Sequence, residues 1–430
     1  MKRTNYIFLL FFIMPLFSCG DDDSSEPQEE DTSHNYQITL NPATTYQTIA
    51  GFGAANGVFN LSLYPTTAET QKAFGLDDGE MGLSIFRIKL PYDSDDWERL
   101  IAPATEAQKY GAKILASPWS PPPALKSNND PVRGYLLPEN YDEYVTHLNS
   151  FIDYMETNGV DLHAISIQNE PDWEAEYESC DWSSTQMINF LSNHGADIDD
   201  RVKIVAPESL NFDQGFTNAL LNNDAAAAQL DIAGGHLYGG GLAAFPIAEQ
   251  KNKEIWMTEY LLNLEEGDWR SASENTKWQE TLNMLNSVHE AMTYNWNAYI
   301  WWYLKRYYSF IGDGEQGTTR GTVMKRGYAF AHFSKFIRPG YQRINFEEDT
   351  STGLDITSYM EDDKLVMVII NPTGTSASDI AIAAEGMDFS TAMAYTTTIN
   401  ENMTEQTLEI SDNMAIVNIT GSSVTTIILE

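Results

Sequence analysis

The sequence predicts an α/β fold: a closed (β/α)8 barrel with an appended all-β sandwich built from the C-terminal region plus one N-terminal strand. Three observations carry that prediction. Eight apolar strand candidates, each followed by helical or loop sequence, fill about 260 residues, the usual extent of a TIM barrel. From Gly340 onward, short alternating runs at turn-separated intervals replace that rhythm, as in a sandwich. Chemistry-capable side chains gather at the C-terminal ends of the barrel strands, where this architecture builds its active sites.

The elements follow in order. Residues 1–18 read as a signal peptide, with Lys2 and Arg3 before an apolar stretch too short to span a bilayer. It ends in Leu16-Phe-Ser-Cys19, which resembles a bacterial lipobox with Cys19 as the lipidated first residue; ordinary cleavage near Ser18 is the alternative. Residues 19–34 are too acidic and too poor in apolar side chains to pack, and read as a disordered tether. Their acidity just after the cysteine resembles the surface-export signals of Bacteroidetes lipoproteins. The expected location is therefore the outer membrane, exposed at the cell surface. Residues 35–45 hold a short strand that joins the side domain. The barrel is assigned to residues 46–337, with strands at 47–53, 83–90, 112–118, 162–169, 202–207, 230–237, 254–259 and 297–304. Helical patterns lie between them at 141–156, 185–194 and 273–294. The sandwich takes residues 338–430.

Composition narrows the function. A net charge of −37 over 430 residues argues against nucleic acid or an anionic membrane surface as a partner. Of the two cysteines, Cys180 has no intramolecular partner once Cys19 is acylated, so disulfides do not hold the fold. No His, Asp or Glu grouping has catalytic-metal spacing, and neither metal nor cofactor is expected. Nothing marks a self-association surface, so a monomer is expected.

Two strand ends carry the chemistry. The stretch from His163 to Pro171 alternates apolar residues and then breaks into Gln168-Asn-Glu-Pro171, while 254–259 ends in Glu259. Two carboxylic acids at strand ends are what glycoside hydrolysis requires, one to protonate the leaving oxygen and one to attack or activate water. A buried structural ion pair is the competing explanation, with Arg87 as counter-ion or as a hydrogen-bond partner that keeps Glu259 ionised. Glu208 can pair with Arg87 inside the barrel. Trp256 and Trp301 are explained equally well as core.

With the barrel and both acids in place, the chain resembles glycoside hydrolase family 30, in particular its bacterial glucuronoxylan endoxylanases (subfamily 8). The resemblance runs from about Gln47 to the end. It is carried by Gly51-Phe-Gly53, Ser117-Pro-Trp-Ser-Pro-Pro122, Ser166-Ile-Gln-Asn-Glu-Pro171, Ala206-Pro-Glu-Ser209, His236-Leu-Tyr238, Trp256-Met-Thr-Glu259, Trp301-Trp-Tyr303 and the long run from Lys325 to Tyr341. It implies a retaining endo-β-1,4-xylanase with Glu170 as acid/base and Glu259 as nucleophile. It further implies that Asn169 bonds a sugar hydroxyl, that Tyr238 orients Glu259, and that Trp119, Trp173, His236 and Trp302 contact the xylan; His236 is read equally well as a satisfied strand-end histidine. A basic segment after the eighth strand grips a glucuronic acid branch in that subfamily, where two arginines are expected. Here the pair is Lys305 and Arg306, followed by a loop bringing Arg320 together with the opposing charges Asp313 and Glu315. A β-1,6-glucanase or β-glucosidase would leave those cations idle, and a surface glycan-binding lipoprotein would need neither acid.

Overall fold

The computed structural model describes residues 34–264 and 269–430. The expected signal peptide, Cys19 and almost all of the tether lie outside the described residues. Strand β1 (Tyr36–Thr48) comes first. Eight parallel strands follow: β2 (Gly51–Ala55), β3 (Ile85–Leu90), β4 (Lys113–Pro118), β5 (Leu162–Ser166), β6 (Lys203–Ser209), β7 (Ile232–His236), β8 (Glu254–Glu259) and β9 (Ala298–Trp301). They close in sequence order, with β2 pairing β9 from Gly51 opposite Ala298 to Ala54 opposite Trp301.

The barrel interior is filled by one small or branched residue from nearly every strand, among them Ile85, Leu115, Ala164, Val205 and Ile232, with Trp256 and Ala298 alongside. Trp256 is thus core, as is Trp301, which stacks on Phe310 outside the site. Gly53 is required by the closure, because a Cβ there would meet the Ile85 carbonyl oxygen at 2.2 Å. Outside the strands, the helix Tyr141–Thr157 buries Tyr141, Tyr144, Leu148, Phe151 and Met155, a three-and-four spacing that turns one face to the sheet.

The side domain adds β10 (Gln342–Glu348), β11 (Asp355–Glu361), β12 (Lys364–Asn371), β13 (Ala377–Ala384), β14 (Ala392–Thr398), β15 (Thr404–Thr407), β16 (Glu409–Ser411), β17 (Met414–Ile419) and β18 (Ser423–Leu429). These and β1 form one nearly closed ten-stranded sheet rather than two separate ones, in the order β15-β14-β18-β12-β11-β10-β1-β13-β17-β16. Strand β1 lies between β10, antiparallel, and β13, parallel, so the N-terminal strand joins the C-terminal module. It runs to Thr48 rather than ending near residue 40, following β10 through two register irregularities. Strand β12 is apolar on both faces. Leu365, Met367 and Ile369 enter the sheet's own core, while Val366, Val368 and Ile370 join the core shared with the barrel helices.

Polar bonds lock that seam. His332 is fully buried, its two ring nitrogens each 2.8 Å from a threonine hydroxyl, Thr426 and Thr397. Burial pushes its pKa down to about 3. Its unfolded value near 6.5 lies higher, so the unfolded chain binds the extra proton below pH 6.5 and stability falls as pH drops toward 3. His332→Ala should cost about 3 kcal/mol at pH 7 through a cavity and two orphaned hydroxyls. It should also flatten the loss of stability between pH 7 and 5, both read from urea unfolding midpoints at the two pH values.

Candidate active site

At the barrel mouth the chain beyond β5 is pinned by its backbone. The Asn169 amide donates to the Pro118 carbonyl at 2.8 Å and the Glu170 amide to that of Glu208 at 3.0 Å. Gln168 Nε2 donates to Trp119 O at 2.8 Å, and the Tyr144 hydroxyl to Ile167 O at 2.7 Å. Glu170 and Glu208 both take left-handed backbone conformations, with φ of 47° and 60°. Each costs on the order of 1 kcal/mol or more and persists because these bonds over-determine it.

Arg87, from β3, is fully buried and reaches Glu259, Glu208, Asn169 and, from Nε at 3.2 Å, the Ser117 hydroxyl. Its Nη1 meets Glu259 Oε2 at 2.6 Å, its Nη2 meets Glu208 Oε1 at 2.9 Å and Asn169 Oδ1 at 2.6 Å, and its Nε reaches Glu208 at 3.1 Å. Glu259 also accepts from the Tyr238 hydroxyl at 2.9 Å. Glu170 has a different pair of neighbours. His236 Nδ1 lies 3.1 Å from its Oε1, and the Tyr177 hydroxyl donates to its Oε2 at 2.6 Å. A carboxylate oxygen of Glu170, one of Glu259 and a ring nitrogen of His236 all lie within 4.8 Å of one another. This is the one group of described residues close enough to hold a metal ion, and Arg87 already supplies it with positive charge.

The electrostatics follow from burial against these contacts. Burial alone would raise Glu208, but Arg87 and then His236 hold it down at about 2. His236 is pulled down by burial and pushed up further by Glu259 and by its bonds to Glu170 and Glu208, to about 9, so it is an imidazolium at neutral pH. Glu170 is raised by burial, yet His236, Tyr177 and Arg87 bring it below the usual carboxylate range. Glu259 stays above that range, because burial and the charge of Glu170 outweigh His236 and Arg87.

A cleft of about 460 Å3 opens onto both acids. Trp119 and Trp302 wall it with ring centroids 6.0 Å apart, and the Arg87 guanidinium lies 4.8 Å from the Trp119 ring. Trp173 stands at its rim, 47% exposed. Glu170, Glu259, Asn169, Tyr238, Trp119, Trp173, Trp302 and Arg87 are thus brought together. Two of the expected residues sit away from the cleft surface. His236 joins the two acids but is sealed behind Glu170 with no exposure, where it satisfies carboxylates. Lys305 is also buried, and its ammonium pairs with Glu69 Oε2 at 2.9 Å at the first turn of the helix Thr67–Phe74. Arg306 remains partly exposed but donates to buried Asp313 at 2.9 Å, in a small polar pocket shared with Asn60, Ser62 and Arg320.

Sequence reasoning missed Tyr177 and Phe59, which both line the cleft. An aromatic residue within the acidic loop just past Glu170 is the signal that pointed to the first. Cys180 is a buried thiol, pushed by burial up to about 12.

Arg87→Met should destabilise the fold by roughly 3–5 kcal/mol, because it leaves two buried carboxylates without their cation. Adding Glu208→Gln should restore part of that loss. Denaturant unfolding of the single and double variants measures both.

The model of the glycosyl hydrolase family 30 TIM-barrel domain matches residues 65–208. The glucuronoxylanase XynC of Bacillus subtilis (strain 168) is 33% identical over 447 residues, spanning 100% of this chain and 99% of that protein. Among solved structures, a GH30 endoxylanase from Clostridium papyrosolvens C71 superposes with a TM-score of 0.79 at 29% identity, over 92% of this chain and 100% of that one. The subfamily 8 xylanase Xyn30A of Clostridium acetobutylicum gives 0.81 at 28% identity, over 92% and 99%. With its closed barrel, its ten-stranded side sheet and two acids facing one cleft, the chain belongs to glycoside hydrolase family 30.

Proposed function

We propose that this glycoside hydrolase is a retaining endo-β-1,4-xylanase acting on glucuronic-acid-branched xylan. The observation that carries the mechanism is the separation of the two acids. One oxygen of Glu170 and one of Glu259 lie within 4.8 Å of each other, which favours the short carboxyl spacing of about 5–5.5 Å used in double displacement over the wider spacing of inversion. Glu259 attacks the anomeric carbon and Glu170 protonates the departing oxygen. Glu170 then takes a proton from the water that releases the glycosyl-enzyme.

The residues around the acids support those roles. Glu170 alternates between acid and base, and the contacts from His236, Tyr177 and Arg87 that lower its pKa favour the carboxylate that the second step needs. The positive charge that develops at the anomeric carbon favours ionised Glu259. Arg87 and Tyr238 each give Glu259 a fixed donor, which holds it as a nucleophile once charged. The Asn169 carbonyl is taken by Arg87, so its amide nitrogen is the group offered to a sugar hydroxyl. Trp119 and Trp302 offer apolar walls to sugar faces.

Recognition of the branch rests on Arg306 with Arg320, since Lys305 is committed to Glu69. The Arg306–Asp313 pair favours a second reading, a xylanase indifferent to the branch, because an arginine already neutralised attracts a uronate weakly. We further propose that Cys19 carries a lipid that tethers the enzyme at the outer membrane; no helix of the described residues is long and apolar enough to cross one.

Glu259→Gln should lower turnover of glucuronoxylan by about four orders of magnitude or more, and Glu170→Ala by roughly 10²–10⁴. Mass spectrometry of the products should show oligosaccharides each carrying one glucuronate. Arg306→Ala should lower kcat/KM on that polymer by roughly 10- to 100-fold and spare xylan stripped of uronic acid. Equal cutting of both polymers by the native enzyme would establish the branch-indifferent reading, and cutting of a β-1,6-glucan alone would overturn both.

A further inference from the structure

The loop that follows Glu170 is acidic, with Glu174, Glu176 and Glu178 among its residues, yet it is tied to the barrel mouth by three cations. Lys89, at the end of β3, is buried and forms an ion pair with Glu178. Lys126 donates to the Ser179 carbonyl at 2.6 Å and Arg133 Nε to the Ala175 carbonyl at 3.0 Å. The Lys89 ammonium also lies 4.8 Å from the Phe59 ring, whose centroid is 5.8 Å from that of Tyr177. Burial pulls the pKa of Lys89 down and Glu178 opposes it, so the ammonium is kept charged by the loop that it holds. The residue this clamp delivers is Tyr177, between Glu176 and Glu178.

The two oxygens of Glu170 are not equivalent. Oε1 faces His236, which has no exposure, so it is turned away from substrate. Oε2 faces the Tyr177 hydroxyl on the side where the cleft opens. The proton for a leaving oxygen therefore passes through Oε2, the atom Tyr177 contacts. A phenol can donate to a carboxylate and accept from a carboxylic acid, but its bond to the charged form is the stronger. Burial and Glu170 together hold the Tyr177 proton firmly in place, so the phenol stays a donor.

We propose that Tyr177 is a positioning residue for the acid/base. Its hydroxyl holds Oε2 of Glu170 toward the cleft and favours the carboxylate, and Lys89 keeps it there through Glu178. The inference rests on the reading of Glu170 as acid/base. The other charged or titratable groups around Glu170 are His236 from β7, Glu208 from β6, Glu259 from β8, Arg87 from β3, and Tyr238 behind Glu259. None of them occupies Oε2.

The test is the pH profile of Tyr177→Phe against the native enzyme on two substrates: glucuronoxylan, and 2,4-dinitrophenyl β-xylobioside, whose leaving group needs no proton. Without the hydroxyl the carboxylate is less favoured, so the alkaline limb of kcat/KM on xylan should move up by about one pH unit. Glu178→Gln should move it the same way by less, with thermal unfolding of both variants near native. The dinitrophenyl substrate should show no such displacement. An unmoved limb, or a raised KM with an unmoved limb, overturns the proposal and makes Tyr177 a sugar contact. Glu170→Ala separates the two levels. If it spares kcat/KM on the dinitrophenyl substrate, with kcat lowered by slow release of the glycosyl-enzyme, the acid/base reading stands whatever Tyr177 does. If it loses both substrates equally, that reading fails and takes the proposal with it.

Discussion

A guanidinium sealed from water at the barrel mouth sets the arrangement of everything around it. Arg87 has no exposure, so its charge must be met by carboxylates arriving from other strands. Glu208 meets it from β6 and Glu259 from β8, and Asn169 adds a carbonyl from beyond β5. These contacts fix where three strand ends sit relative to one another. A barrel of parallel strands supplies the directions but not this registry. Registry arises here because a buried ion cluster tolerates little displacement before a charge loses its partner.

The two left-handed glutamates make sense within that cluster. Glu170 and Glu208 leave the extended conformation at the same level of neighbouring strands, and the backbone bond from one to the other links the two kinks. The kinks turn Glu208 toward Arg87 and Glu170 toward the cleft, so adjacent strand ends present one structural acid and one that lines the cleft. His236 then bridges behind them, within reach of both, and carries a second positive charge into the group. Counting Arg87, His236 and the three glutamates, two cations face three acids. Burial raises Glu259, and the bonds from His236 and Tyr177 lower Glu170, so the two cleft-facing acids are driven apart in proton affinity.

Much of this was legible in the sequence because strand ends are marked by abrupt change. The apolar run ending in Asn169-Glu170 and the one ending in Glu259 announce themselves, and Arg87 stands out as a charge within an otherwise apolar strand. The early strand was legible as one without a barrel position, and it pairs with β10 and β13. What failed was partner choice across distance. Lys305 reads as a free cation beside Arg306, and only the fold brings Glu69, 236 residues away, against its ammonium. His236 reads equally as a satisfied strand-end histidine or a substrate contact, because the side a strand residue takes depends on local irregularity, and β7 shifts register against β8 just there. The side domain's short strands were visible, but their closure into a single sheet depends on β1 bridging β10 and β13.

The acidity of the chain gives the buried cations their significance. With 62 acidic residues against 25 lysines and arginines, the surface offers abundant partners for any cation. Yet Arg87, Lys89, Lys126, Lys305 and Arg326 are buried, and each meets an acid or a carbonyl there. Desolvating a lysine is costly, so such placements endure only where the partner is fixed and the contact organises more than itself. Four of the five lie on or beside the segments that frame the cleft: β3, the loop after β4, and the stretch after β9. In a protein whose surface charge repels itself, inward-facing cations draw the acidic loops of the mouth together. The same arrangement leaves Arg306 and Arg320 as the cations that a uronate could reach, one of them already half engaged by Asp313. On the proposed reading, the balance between framing the cleft and meeting a uronate branch is therefore struck at the loop between Gly312 and Gly321.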